Sequence, residues 1–136
     1  MRYLAIDYGM KRTGLAVCDA AETIASPYGV LYGQKNLAAQ IGRIAASENV
    51  EALVLGLPLN MDGSEGPQAR KVRAFARQLE AQIHLPLHFQ DERLSSFGAE
   101  QKLEEIGLSK GKGRARLDAL AAAEILQAFL ERKTGG

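Results

Sequence analysis

The first twenty residues contain acidic and basic side chains in a pattern that could hold a metal ion beside a phosphate. One apolar run ends at Asp7, a glycine-bounded turn carries Lys11 and Arg12, and a second apolar run ends at Asp19. Two apolar runs joined by such a turn predict a β-hairpin. The hairpin would hold Asp7 on rigid backbone, with Lys11 and Arg12 near enough to bind a phosphate.

Two later positions add acids to this set. Glu92 ends another strand pattern next to Asp91, and either acid could belong to the site. Asp118 heads the apolar stripe of a predicted helix, where an unpaired buried carboxylate is costly unless a cation offsets its charge. Local explanations remain open for both positions. Glu92 could pair with Arg93, and Asp118 could simply interact with the positive end of its own helix.

Three or four acids on separate elements suit a particular chemistry. Hydrolysis of a phosphodiester needs an activated water and a stabilised leaving oxygen, and two divalent ions ~3.5–4 Å apart supply both. Hard ions such as Mg²⁺ and Mn²⁺ prefer carboxylate oxygens. One Cys and two His do not provide a zinc site. The acids therefore predict phosphodiester hydrolysis that depends on Mg²⁺ or Mn²⁺.

The composition is that of one globular domain over residues 1–136, with 46% hydrophobic and 24% charged residues. No apolar run approaches the ~20 residues that span a membrane, and no signal peptide is evident. The lone Cys18 fits a reducing compartment, so we expect a cytoplasmic protein without membrane contact. The net charge of +1 is not that of a strongly basic nucleic-acid binder. Basic residues are instead concentrated locally, at Lys110, Lys112, Arg114 and Arg116.

The apolar periodicity predicts the element order β-β-β-α-β-α-β-α-α. The strands are predicted at Tyr3–Tyr8, Thr13–Cys18, Ile24–Tyr32, Val50–Leu57 and Leu87–Glu92. The helices are predicted after a cap at Asn36, from Pro67, from Ser95 or Ser96 to Ile106, and from Leu117 to Lys133. Pro27 marks an edge strand, the apolar fourth strand is central, and residues 109–116 form a loop.

Four ordered blocks cover nearly the whole chain. They are Asp7-x-Gly9-x-Lys11-Arg12-x-Gly14-x-Ala16-x-x-Asp19, Gly56-Leu-Pro-Leu-Asn60-Met-Asp62-Gly63-Ser64, Asp91-Glu92-Arg93-Leu-Ser95-Ser96 and Asp118-x-x-Ala121-Ala122-x-x-Ile125-Leu126-Gln127. These blocks resemble the YqgF/RuvX family, whose members are described as pre-16S rRNA nucleases or Holliday junction resolvases. The resemblance implies an α/β RNase H-like fold, a mixed five-stranded sheet flanked by helices. It also implies that Asp7, Glu92 and Asp118 are the catalytic acids and metal ligands.

One position departs from the wider RNase H-like superfamily, which often has an acid at the end of the fourth strand. Gly56-Leu57-Pro58 stands there in this chain, so Glu92 on the fifth strand would have to substitute. The other polar groups of the blocks are predicted to bind substrate. Arg93 and Ser95 either position the scissile phosphate or hold the acids. The predicted substrate-binding residues are Lys11, Arg12, Asn60, Asp62, Arg93, Ser95, Lys110, Lys112 and Arg114.

The leading prediction is a nuclease acting on structured nucleic acid, either an RNA precursor or branched DNA. Processing of the 5′ end of pre-16S rRNA is our first choice, and junction resolution in DNA recombination and repair is the second. Resolution needs two cuts and would favour a dimer, so the expected state is a monomer or a weak homodimer. Two other classes remain open: a non-catalytic RNA-binding assembly factor, and one lobe of an actin-like or sugar-kinase-like protein.

Overall fold

The computed structural model describes residues 1–92 and 110–134. Its strands are β1 (Tyr3–Asp7), β2 (Arg12–Cys18), β3 (Ala25–Tyr32), β4 (Ala52–Leu57) and β5 (Leu87–Asp91). Its helices are α1 (Leu37–Ser47), α2 (Pro67–Gln82) and α3 (Lys110–Thr134). All five predicted strands are confirmed to within two residues at each end. Pro67 occupies the first helical position, where its missing N–H leaves no bond unmade.

The strands form one five-stranded sheet in the order β3-β2-β1-β4-β5. β2 runs antiparallel to both β1 and β3, whereas β1, β4 and β5 are parallel. β1, β4 and β5 therefore end at one edge of the sheet, which we call the site edge, at Asp7, Leu57 and Asp91. β3 runs in the same direction and ends there too, at Tyr32. This mixed sheet is the predicted one.

Helices cover both faces of the sheet. α1 and α2 enclose a core with one face of the strands, where Phe75 and Leu79 are among the buried side chains. α3 encloses a second core with the other face, through Ile125, Leu126 and Phe129. β4 is buried along its whole length because it lies between the two layers, as its apolar sequence predicts.

The outer strand β3 has the features of an edge. Among the strands of residues 1–92 it pairs only with β2, and the pairing register shifts between Leu15 and Ala16, opposite Gly29 and Pro27. A proline has no N–H to donate to a ladder, so Pro27 is tolerated at this position and not in the sheet interior. The prediction of an edge strand at Pro27 is confirmed.

Two local predictions are wrong. Residues 110–116 are not a loop, because α3 begins at Lys110 and continues through Gly111 and Gly113. Each glycine costs a helix about 1 kcal/mol, which the packing of α3 on the sheet outweighs. Asn36 precedes α1 with a left-handed backbone, φ 55°, and its side chain makes no capping bond. The helix predicted from Ser95 or Ser96 lies outside the described residues.

None of the helices in the described part of the chain is long and apolar enough to cross a membrane.

Candidate active site

The position of Asp118 is fixed by a glycine on the neighbouring strand. In the β1–β2 register, Gly14 lies directly opposite Asp7 at the end of β1. A Cβ on Gly14 would overlap the backbone carbonyl of Asp118. Because Gly14 has no side chain, the backbone of α3 packs directly on β2 at this point. This contact brings Asp118 beside Asp7, so two acids that are far apart in sequence meet at the site edge.

A second glycine makes room for Glu92. Gly56 lies near the end of β4, and a Cβ there would stand 2.6 Å from both Glu92 Oε2 and Ile125 Cδ1. Glu92 therefore lies on the α3 side of the sheet, and its carboxylate covers the position that a fourth-strand side chain would fill. This geometry explains why the chain can lack an acid at Gly56. Of the two neighbouring acids left open by the sequence, Glu92 is the one that contacts Asp7.

Asp7 and Glu92 form a partly buried, hydrogen-bonded carboxyl pair. Burial raises the pKa of Asp7 to about 6; the hydrogen bond from Glu92 lowers it, and the charge of Asp118 raises it further. Burial also raises the pKa of Glu92 to about 8, and the nearby charges of Asp7 and Asp91 add to the effect. Glu92 has the higher pKa, so its carboxyl group holds the proton and donates the hydrogen bond to the Asp7 carboxylate. Two carboxylates this close cannot both ionise without a cation.

Asp118 has a cation of its own. Arg12 Nε donates to Asp118 Oδ2 at 2.7 Å, and both side chains are about three-quarters buried, with 26% and 23% exposed. The sequence left open what offsets the charge of Asp118, and this ion pair is a partner within the protein. Within residues 1–92 and 110–134, no three Asp, Glu, His or Cys side chains stand close enough together to hold one metal ion. The acids are thus divided into a carboxyl pair and an acid bound by arginine.

The turn between β1 and β2 is held in one shape by a glutamine that the sequence did not single out. Gln34 Nε2 donates to the carbonyls of Gly9 and Met10 at 2.8 and 3.0 Å. The hydroxyl of Tyr8 donates to Gln34 Oε1 at 2.6 Å, and its ring stacks on Phe75. Tyr8 is therefore a packing residue. Lys11 lies in the same turn, and its side chain is exposed.

The loop after β4 is ordered by its own polar side chains. The Ser64 N–H and hydroxyl both donate to Asp62 Oδ1, at 2.9 and 2.6 Å. Asn60 Nδ2 donates to Ser64 Oγ at 3.0 Å, and the Asn60 N–H donates to the Ser64 carbonyl. Asp62 thus shapes the turn, as its place before a glycine allows. The loop remains exposed just beyond Leu57, at the site edge.

The remaining predicted substrate contacts fall into two groups. Lys110, Lys112 and Arg114 lie in the first turns of α3, which precede Asp118 along the helix. Arg93 and Ser95 lie outside the described residues.

The residues that sequence reasoning missed are mainly glycines and Gln34. Gly14 and Gly56 set the positions of Asp118 and Glu92, yet each contributes no functional group. A glycine inside a strand weakens it and often marks a close approach of another backbone or side chain, so this signal was available at both positions. Gln34 carried no such signal, because its partners become neighbours only when the strands pair.

The fold is shared with proteins whose structures are known in complex with Holliday junctions. Thermus thermophilus RuvC in complex with a Holliday junction substrate superposes with a TM-score of 0.62, over 99% of this chain and 97% of that chain, at 17% identity. The fowlpox virus resolvase in complex with Holliday junction DNA superposes at 0.60, over 98% and 99%, at 11% identity. These likenesses define an RNase H-like fold of the resolvase type, as the sequence predicted.

Sequence comparison defines the family within this class. The model of the RuvX family, described as Holliday junction resolvase, matches residues 1–132. A protein of Anaeromyxobacter dehalogenans named "Putative pre-16S rRNA nuclease" is 46% identical, over 98% of both chains. Proteins of the same name from Maridesulfovibrio salexigens and Moorella thermoacetica are 42% and 43% identical, over at least 96% of each chain. The chain belongs to the RuvX (YqgF) family and is thereby a hydrolase of the nuclease class.

Proposed function

We propose that the chain is a divalent-metal-dependent nuclease that trims the 5′ end of pre-16S rRNA during ribosome biogenesis in the cytoplasm. The observation that supports the chemistry best is the proton-sharing pair of Asp7 and Glu92, with Asp118 next to it at the site edge. Carboxyl groups with strongly raised pKa values are concentrated at functional sites. The choice of substrate rests on the names of the relatives.

The donor set fits Mg²⁺ or Mn²⁺. Asp7 and Glu92 offer only oxygen atoms as ligands. In the metal-free protein a shared proton relieves the repulsion between the two carboxyl groups, as a bound cation would. Asp118 joins as a third ligand once Arg12 leaves it. When bound, the metal ions supply an activated water and stabilise the leaving oxygen.

The residues predicted to bind substrate have the following roles in this proposal. Arg12 neutralises Asp118 in the metal-free protein, and it is near enough to the acids to bind the substrate phosphate instead. Lys11, exposed in the rigid turn, binds a second phosphate. Asn60 and Asp62 in the ordered loop after β4 contact the same strand of substrate. Arg93 and Ser95 position the scissile phosphate or the acids.

The first turns of α3 supply further positive charge. By sequence, Lys110, Lys112, Arg114 and Arg116 lie there within two helical turns, ahead of Asp118. Their placement favours attraction of a phosphate backbone towards the acids.

Holliday junction resolution in DNA recombination and repair is the second candidate. It is favoured by the description of the matching family and by two structural neighbours in complex with junction DNA. This activity would require two sites and therefore a homodimer, whereas trimming of an RNA end needs only a monomer. A non-catalytic RNA-binding role in ribosome assembly is a third candidate, against which the retained acids argue.

The test is cleavage of two labelled substrates by one preparation. A 16S rRNA fragment with its 5′ extension and a four-way DNA junction are incubated with Mg²⁺ or Mn²⁺. Asp7→Asn protein, purified identically, controls for contaminating nucleases. Metal-dependent cleavage of the rRNA fragment alone supports the first candidate, and symmetric junction cleavage by a dimer supports the second. Binding without cleavage of either substrate, at any metal concentration, would leave the assembly factor.

A further inference from the structure

Tyr32 is a large aromatic side chain left open at the site edge. It is the last residue of β3 and is 66% exposed. Within the described part of the chain its ring and hydroxyl have no aromatic or hydrogen-bond partner, unlike Tyr8, which stacks on Phe75, and Tyr3, which packs on Phe129. Tyr32 therefore presents a free ring at the end of the sheet that carries the acids.

The register places Tyr32 on the same face as the acids. Tyr32 is the direct partner of Arg12 in the β2–β3 ladder, and residues directly opposite each other in an antiparallel pair point to the same face. Arg12 points to the α3 side, since its guanidinium bonds Asp118. The Tyr32 side chain therefore projects beside Arg12 on the face that carries Asp118.

The backbone around Tyr32 is held in place although its side chain is open. The N–H of Gly33, the next residue, donates to the Lys11 carbonyl at 2.9 Å. Gln34 then bonds the carbonyls of the same turn. These hydrogen bonds connect the end of β3 to the turn that carries Lys11. The backbone of Tyr32 is therefore held in place relative to the proposed phosphate-binding groups.

We propose that Tyr32 stacks on an unpaired base of the substrate whose phosphate is bound by Arg12. This inference rests on the proposed function and names the substrate class more closely: a nucleic acid with an unpaired nucleotide next to the cleaved bond. A base within a duplex has both faces covered by its neighbours, whereas an unpaired base offers a free face to an aromatic ring. Stacking of this kind accepts any base, so it selects structure and not sequence.

The cross-strand geometry suits one nucleotide. Side chains on directly paired residues start about 5 Å apart, a spacing comparable to that between the phosphate and the base of a single nucleotide. Arg12 could thus bind the phosphate while Tyr32 covers the base.

The test measures binding in the Asp7→Asn background, where cleavage is blocked. The probes are oligonucleotides that carry the fluorescent base 2-aminopurine either in a one-nucleotide unpaired position or within a continuous duplex. Tyr32→Ala should raise Kd for the unpaired probe by about 5- to 100-fold, the range expected when a base–aromatic stack is removed. It should also abolish the quenching of the fluorophore. Binding of the paired probe should change less than about twofold.

Two variants and one assay serve as controls. Tyr32→Phe should keep the tight binding and the quenching, because the ring remains. Tyr28→Ala removes another exposed tyrosine, 42% accessible, from the same strand about 13 Å away, and should bind like its parent. Sedimentation of each variant reports the oligomeric state, and thermal melts report the fold.

The outcomes separate the two proposals. If the wild type cleaves its substrate and Tyr32→Ala binds the unpaired probe as tightly as its parent, the stacking role is wrong and the nuclease function stands. If Tyr32→Ala changes the oligomeric state, Tyr32 is a contact between copies and the proposal fails. If the wild type neither binds nor cleaves nucleic acid, the proposed function fails and the role of Tyr32 with it.

Discussion

The pKa values of acidic residues are shifted in opposite directions at the site edge and at the opposite end of the strands. At the site edge, Asp7 and Glu92 lie against each other and their pKa values are raised. At the opposite edge, Glu22 binds both Lys133, at 2.8 Å, and the amino-terminal ammonium, at 3.1 Å, and its pKa is lowered. Asp19 accepts hydrogen bonds from its own turn, which lower its pKa to about 2.

The difference separates acids whose pKa values are lowered by partners in the fold from acids whose pKa values are raised by burial. Asp19 and Glu22 have partners within the protein, so their charges already favour the folded state. Asp7 and Glu92 share a hydrogen bond with each other, and a proton or a cation relieves the repulsion between them. α3 connects the two edges, since Asp118 stands at one end of its packed surface and Lys133 at the other.

The largest expected effect is that of Asp7→Asn. If Asp7 is the metal ligand we propose, its loss should lower cleavage by at least about 100-fold, more than the 10- to 100-fold typical of groups that only support a ligand. The fold should survive, because the change removes a charge from a repulsive pair. Cleavage assays and thermal melts on one sample measure both effects.

The matched control for this variant is Asp19→Asn, the same change at the opposite edge. Asp19 Oδ1 accepts bonds from the N–H groups of Thr23 and Ile24 at 2.8 and 2.9 Å, and the Thr23 hydroxyl also donates to Asp19. This variant should keep its activity and melt at a lower temperature. If both variants lost stability and neither lost cleavage, the distinction between the edges would be wrong.

The second prediction concerns the glycines that place the acids. Gly14→Ala would force α3 away from β2, and Gly56→Ala would push on Glu92 and Ile125. Each should destabilise the protein by about 1–3 kcal/mol or more and lower activity as well. Gly29→Ala is the control, because a Cβ there would meet nothing within 4 Å, and it should be nearly neutral. Denaturant unfolding and cleavage rates distinguish the three. Equal effects at all three positions would point to strand propensity instead.

The third prediction concerns charge at the start of α3. Changing Lys110, Lys112, Arg114 and Arg116 to Ala should weaken nucleic-acid binding. The slope of log K against log salt should fall by roughly 0.7–0.9 for each phosphate that the variant no longer neutralises. The control removes four exposed charges from α1 and α2, on the other face of the sheet: Arg43, Arg70, Lys71 and Arg77. Equal slopes for the two quadruple variants would show that only net charge matters.

The smallest expected effect is on stability as a function of pH. Because the folded pKa values of Asp7 and Glu92, about 6 and about 8, lie above their unfolded values, the folded state binds protons more tightly. The metal-free melting temperature should therefore fall by several degrees as pH rises from about 4.5 to about 8. Mg²⁺ or Mn²⁺ at millimolar concentration should restore it, most strongly at the upper end.

The opposite edge defines a separate pH window. The pKa of Asp19 is lowered to about 2, so its contribution is present above about pH 4 and is lost as pH falls towards about 2, and the lowered pKa of Glu22 acts in the same direction. Glu92→Gln should flatten the profile between about pH 4.5 and 8 and leave the acid limb unchanged. A Glu92→Gln protein with the wild-type profile throughout would contradict the assignment of the raised pKa values.

Sequence patterns were sufficient for the strands because these are apolar, short and bounded by turn residues, whereas the mixed sheet was implied by the family resemblance. They also singled out Asp7 and Glu92, since an acid that closes an apolar strand has few structural uses, and the structure brings these two side chains together. They failed at the start of α3, where Gly111 and Gly113 resemble a loop and only tertiary packing makes them helical. They could not supply the partner of Asp118, because Arg12 lies 106 residues away in the chain. Such pairs depend on strand register, which a single sequence specifies only indirectly.

The position of β3 as the outer strand of the sheet has a consequence for how copies of this protein can associate. An edge strand offers unpaired backbone groups on which another chain could extend the sheet. Pro27, in the middle of this strand, has no N–H to donate. The register shift beside it also distorts the row of backbone groups on the outer side of β3. These two features therefore disfavour the addition of a second copy to the sheet at β3 and the growth of a continuous aggregate. A homodimer competent for two coordinated cuts would have to form through a different surface, with both site edges left open.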